Sequence, residues 1–202
     1  MKIINYFNYN SIVILTMFFI SLVEVILHYV LHGVIIDKLF STERASLLNP
    51  LTYLRSFTHI FGHSDWGHFS RNYMKILLLG PMIEEKYGSV NLLIMVLITA
   101  FVISTVNAIV GKSRLRGASG IVFMLVGLSS IVNISDGRIP LTLVLIIIFY
   151  IMDEIIDTII NANDGVSHLS HLVGAICGIV FGFICININL TDSVLNLLLW
   201  IY

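Results

Sequence analysis

The chain has 202 residues, 57% of them hydrophobic and only 11% charged, with a formal net charge of −1, and its mean hydropathy is +0.96. Soluble domains carry about 25% charged residues, so this composition excludes an ordinary soluble domain and points to the lipid bilayer as the main solvent. With a near-neutral charge and no basic cluster, nucleic acid is not an expected partner.

Runs near 20 apolar residues predict helices that cross a bilayer, because lipid leaves each segment to satisfy its own backbone. Six such spans are expected, near 11–35, 67–83, 89–110, 119–134, 139–160 and 168–188, forming one all-α integral membrane domain over 1–202. The first run continues past Val30 with no small-residue cleavage site and only Lys2 ahead of it, so it reads as a span rather than a secretory leader. It carries Glu24, His28 and His32 at four-residue spacing. The connection from Asp37 to Trp66 is the longest and most polar, and its Leu, Pro, Tyr and Trp content predicts a packed loop rather than a linker.

The second span opens with His68 and Asn72, four apart and so on one helix face. A charged loop (Lys112, Arg114, Arg116) then turns into the fourth span at Gly117-Ala118-Ser119-Gly120. A serine between small residues at a helix start, with its hydroxyl at the membrane boundary, is a candidate nucleophile. The fifth span carries Asp153, Glu154 and Asp157 at its outer end. These either pair with the basic third loop or are simply solvated by headgroups. In the sixth span Ser170, Gly174, Gly178 and Gly182 recur every four residues beside His171, a small-residue stripe of the kind that lets helix backbones approach closely in lipid. Cys177 and Cys185 lie on that same helix about 12 Å apart along its axis, too far to bridge. The stretch 193–202 is too short to cross and is expected at the interface. No internal repeat or low-complexity tract is present.

Helices alternate direction across a bilayer, so the even-numbered spans begin on one side. Parity therefore gathers His68, Asn72, Ser119, His168 and His171 in one leaflet. His28 and His32 join them from the end of the first span, and His59 and His63 from the following loop, which accounts for all seven histidines. Ionisable groups in spans are functional candidates. Close packing of the fourth and sixth spans, with Gly117, Gly120 and Gly127 offering small surfaces in return, would bring the His171 imidazole within the ~2.6–3.2 Å that proton transfer from Ser119 requires. Donors for an oxyanion are at hand in the Ser119 amide, whose helix start leaves it without an intrahelical partner, and in His68 and Asn72. Packing alone explains the glycines but not a serine and a histidine at matched depth.

Arg55 ahead of Phe57-Thr58-His59, then His63, His68 and Asn72, then Glu84 and Gly88, Gly117-Ala118-Ser119-Gly120, Phe123 and Gly127, and finally His168, His171 and Gly174 together resemble the rhomboid family of intramembrane serine proteases. The likeness runs from about Tyr53 to Phe183. GxSG alone is a weak signal; with His-xxxx-His-xxx-Asn before it and His-xx-Gly after it, the set is specific. The resemblance implies a six-transmembrane-helix rhomboid-like bundle and a Ser119–His171 dyad with no acid partner. It also implies an oxyanion site at His68, Asn72 and Gly117, with Phe123, Gly174 and His168 as supporting residues and Phe123 against the His171 ring. Cofactor and metal are not expected, and the implied partners are transmembrane protein substrates cut in or near a membrane helix, with the fifth span as a lateral gate.

Leu54 stands where relatives often have tryptophan, and Lys75 lies on the Asn72 face where an apolar residue is usual; Glu24 is its expected partner inside the bundle. The resemblance implies an inside N-terminus and a site toward the outer face of a cell membrane, the prokaryotic plasma membrane being the expected location. The basic residues run the other way, with Lys2, Lys86 and Arg138 inside against Lys38, Arg44, Arg55, Lys112, Arg114 and Arg116 outside. Two rival readings stand beside the protease. One is a metal enzyme or transporter built on Glu24, His28 and His32, although a row eight residues long spans too far for one ion. The other is a non-catalytic relative that binds membrane helices without cutting them.

Overall fold

The computed structural model describes residues 10–33, 38–43, 49–110, 114–132 and 168–187, together with Leu141, Val144, Leu145, Ile148 and Met152. Its helices are α1 (Ile12–Val30), α2 (Pro50–Thr58) with a 3-10 turn at His59–Phe61, α3 (Trp66–Tyr87), α4 (Ser89–Val110), α5 (Ser119–Val132) and α6 (His168–Asn187). Of the expected fifth span only the five isolated positions are described, all helical. Asp153, Glu154, Asp157 and the stretch 193–202 lie outside the described residues.

Among the described residues, three helices are long and apolar enough to cross a membrane: Ile12–Val30, Ser89–Val110 and His168–Cys185, with Ser119–Ile131 as a shorter apolar helix. The second expected span is helical but polar, since the 22 residues of α3 include Arg71, Lys75, Glu84, Glu85 and Lys86. One face of α3 is buried through Phe69, Asn72, Tyr73, Ile76, Leu79, Gly80, Ile83 and Glu84, the three-to-four-residue spacing of a helix packed on one side. The first span is shorter than expected. It stops at Val30, where the Leu31 N–H closes on the Leu27 carbonyl, and His32 and Gly33 follow at φ of 54° and 75°.

Hydrogen bonds from α3 fix α1. Ser11, at the N-cap of α1, makes no side-chain cap. The cap comes instead from Glu84, whose two carboxylate oxygens accept the Val13 and Ile14 amides at 2.9 and 3.1 Å. A carboxylate suits this place because the first helical N–H groups are unpaired and carry the positive end of the helix dipole. One helical turn and more toward the other end, the Tyr73 hydroxyl donates to the Met17 carbonyl at 2.8 Å and so accepts from Ser21 at 2.7 Å.

Helix α2 was not among the expected elements. It forms because Asn49 accepts the Leu51 N–H at 3.0 Å and Pro50 follows at the first helical position, where its missing N–H costs nothing. A relay of hydroxyls docks α2 on α4: Ser104 donates to Ser56 at 3.0 Å and Ser56 to the Thr52 carbonyl at 2.9 Å.

Helices α5 and α6 meet backbone to backbone. A Cβ on Gly174 would overlap the Gly120 carbonyl oxygen, and one on Gly178 would overlap the Met124 carbonyl oxygen and lie 2.7 Å from the Leu128 nitrogen. Gly127 answers from α5 against the Ala175 carbonyl. The obstacle at Gly178 is main chain, which cannot swing aside, so Gly178→Ala is expected to lose about 1–3 kcal/mol of stability through overpacking. Denaturation of the purified protein in detergent measures this, with the exposed Ile179→Ala as the reference; equal midpoints for the two variants would contradict the close approach.

Candidate active site

The segment that enters α5 is held by the loop before α3. Thr42 and Leu115 exchange both backbone bonds, at 2.8 and 2.7 Å, and the Gly117 N–H donates to the His59 carbonyl at 2.9 Å. Gly117 sits at φ 115°, a conformation that costs any residue with a side chain. Space also demands glycine there. Its absent Cβ would fall 2.7 Å from Cε1 and Nε2 of His68 and 3.4 Å from Nδ2 of Asn72. Two polar groups of α3 thus face one point over Gly117, two residues before Ser119. The next residue, Ala118, accepts the Val122 N–H through its carbonyl but has no side-chain oxygen to cap the amides of the first turn. Ser119 is the first residue of α5 and half-buried.

From the other side, His171 lies in the first turn of α6 and is 9% exposed. Its ring stacks on Phe123, with centroids 4.5 Å apart and planes 15° from parallel. Phe123 follows Ser119 by four residues, so the two share a face of α5, and the imidazole lies over that face. Ser119 and His171 each neighbour the point where the helices touch: Gly120 meets Gly174, and the Ser170 carbonyl lies 3.5 Å from the Cβ position of Gly120. His168, at the start of α6, is exposed.

The histidines of the loop organise Asn72. The Nδ1–H of His63 donates to the Phe61 carbonyl at 2.9 Å, which leaves Nε2 to accept from Asn72 Nδ2 at 3.2 Å. Asn72 has two such hydrogens, and the second is directed elsewhere, on the nitrogen that also faces Gly117. The His63 backbone N–H donates to the buried Glu24 carboxylate at 2.9 Å. Glu24 therefore anchors the loop to α1. The row of Glu24, His28 and His32 is broken because α1 ends before His32, and among the described residues no group of three or more His, Cys, Asp or Glu is assembled as for a metal ion.

Asp65 and Ser64 escaped the sequence reading, although an aspartate directly before a helical run is an N-cap signal. Asp65 caps α3 by accepting the His68 N–H at 2.8 Å, and the Ser64 hydroxyl donates to its other oxygen at 2.8 Å. Ser64 also meets His68 Nδ1 at 3.1 Å. Burial alone would raise the Asp65 carboxyl, but the His68 amide and the Ser64 hydroxyl outweigh it and hold the group below the usual carboxylate range.

The sequence pattern of the Rhomboid domain matches residues 50–188, a stretch that contains every group just described except those of α1, His32 and residues 38–43. The chain belongs to the rhomboid family. This rhomboid is similar to "Rhomboid-like protein 11, chloroplastic" of Arabidopsis thaliana, at 28% identity over 138 residues that cover 61% of this chain and 49% of that protein. The chain spans about half the length of the curated relative it matches. Family membership together with three apolar helices of crossing length among the described residues makes this a multi-pass membrane protein.

Burial pushes the His59 imidazole from 6.5 down to about 4 and that of His63 down to about 3. Both rings are thus neutral when folded, and as the pH drops below about 6.5 the unfolded chain takes up protons that the folded chain refuses. The stability these rings contribute is complete above pH 6.5 and declines as the pH falls toward about 4. Thermal unfolding in detergent is expected to show a lower midpoint at about pH 5 than at about pH 7.5; a midpoint that does not move across this window would contradict neutral, buried imidazoles.

Proposed function

We propose that this rhomboid is an intramembrane serine endopeptidase, which hydrolyses a peptide bond in or next to a transmembrane helix of another membrane protein through a Ser119–His171 dyad. The observation that carries the reading is the His171 ring stacked on Phe123, one turn along the α5 face that begins with Ser119, where glycines bring the two backbones together.

In the proposed reaction His171 accepts the Ser119 proton as the hydroxyl oxygen attacks the substrate carbonyl. The carbonyl electron pair moves to oxygen, and the resulting charge is met by Asn72, His68 and the Ser119 amide over Gly117. Collapse of this intermediate expels the amine, which takes the proton from His171, and water then releases the acyl group by the same steps. Phe123 holds the base in orientation, Gly174 permits the approach of its helix, and His168 lies at the mouth. The single integral domain would be a bundle of six crossing helices, a count supported by helices at five of the expected spans and by helical positions within the remaining one. The proposed location is a prokaryotic plasma membrane with the site toward its outer face.

Ser119→Ala and His171→Ala are expected to abolish cleavage of membrane peptides, compared by mass spectrometry between wild-type and variant membranes. A serine-directed covalent probe should label Ser119 only when His171 is present, whereas a folded wild-type protein that resists the probe would favour a non-catalytic helix binder. Asn72→Ala should lower kcat by ~10²-fold or more, the usual loss for one oxyanion donor, and a reduction under threefold would remove Asn72 from that role.

A further inference from the structure

Ser64 has one hydroxyl proton, and the Asp65 carboxylate receives it at Oδ2. The 3.1 Å contact between Ser64 Oγ and His68 Nδ1 therefore runs in one direction, with the ring nitrogen donating. The remaining carboxylate oxygen accepts the His68 amide at 2.8 Å, so Asp65 holds both the main chain and, through Ser64, the ring of His68. An uncharged imidazole with its proton on Nδ1 is an acceptor at Nε2, and Nε2 is the nitrogen turned to the point over Gly117, at 2.7 Å. Asn72 at the same point presents N–H. A developing oxyanion requires donors, so neutral His68 is mismatched to it and the imidazolium is matched.

We infer that Ser64 and Asp65 are positioning residues that hold His68 as the Nδ1–H tautomer and supply its counter-charge, so that His68 serves the oxyanion only after Nε2 takes up a proton from water. The catalytic half of this inference rests on the hydrolase reading; the tautomer rests on the hydrogen bonds alone. The charged and titratable groups facing the ring are Asp65 before α3, Arg71 on it, His63 and Arg116 from the two loops, and His171 from α6. Asp65 is the anion in that set, and it is the group that must offset burial and the neighbouring Arg71, Arg116 and His171 for the ring to carry an added positive charge.

Two variants then act in opposite directions on the alkaline side of the pH–rate profile. Asp65→Asn keeps an acceptor for the amide but removes the charge, so the loss of rate with rising pH begins at lower pH, by about one unit. Ser64→Ala removes the acceptor for Nδ1–H and lets a neutral ring carry its proton on Nε2, so the alkaline loss moves to higher pH or disappears. Ser64→Thr retains the hydroxyl and the wild-type profile. Nitrogen NMR of the full chain with labelled histidine in lipid bilayers, assigned with His68→Gln, reads the tautomer without any need for activity. Above the ring's titration, wild type should show an unprotonated Nε2, and Ser64→Ala a protonated one. A neutral wild-type ring protonated at Nε2 overturns the inference, as do variants that only scale the rate and leave the alkaline limb in place. A chain with the expected tautomer that cleaves nothing would instead bring down the hydrolase reading and with it the catalytic half.

Discussion

Contact between the main chains of α5 and α6 is the constraint on which the candidate site depends. Lipid tails are as apolar as the side chains they surround, so helices in a bilayer gain little from hiding apolar surface and must associate through close packing and polar contacts. Gly120, Gly174 and Gly178 remove the side chains that would otherwise hold these two helices apart, and carbonyl oxygens of one lie against the α-carbons of the other. At that separation the first turn of α6 reaches the first turn of α5. The His171 ring then finds Phe123 as its platform.

The polar groups of the bundle are spent largely on its backbone. Glu84 caps α1 from another helix, Glu24 receives the His63 amide, and Asp65 caps α3. Unsatisfied amides are costly away from water, and a carboxylate is a strong acceptor for them. These contacts also register the loops against the helices. The His59 carbonyl positions Gly117, while His63 positions Asn72, so the loop before α3 sets two sides of the space over Gly117.

Much of this was legible in the order of residues. Hydrophobic runs mark α1, α4, α5 and α6 because crossing lipid imposes a length and a composition. The four-residue recurrence of Ser170, Gly174, Gly178 and Gly182 announces a packing face because helical periodicity is local. Helix α2 was not read from the sequence, because the polarity of its surroundings masked the Asn49-Pro50 start. Nor was the loop amide held by Glu24 legible: the carboxylate accepts it from 39 residues away in sequence, and no spacing rule reports such a contact.

Sequence alone thus determined the membrane class, the rhomboid likeness and the identity of the candidate serine and histidine, since each follows from residue type at short range. Only the tertiary structure decided which groups meet the ring nitrogens of His63 and of His68, which hydrogen of Asn72 is already committed, and what stands over Gly117. Those answers depend on the direction of hydrogen bonds between segments that the chain brings together only on folding, and direction is a property of three-dimensional placement.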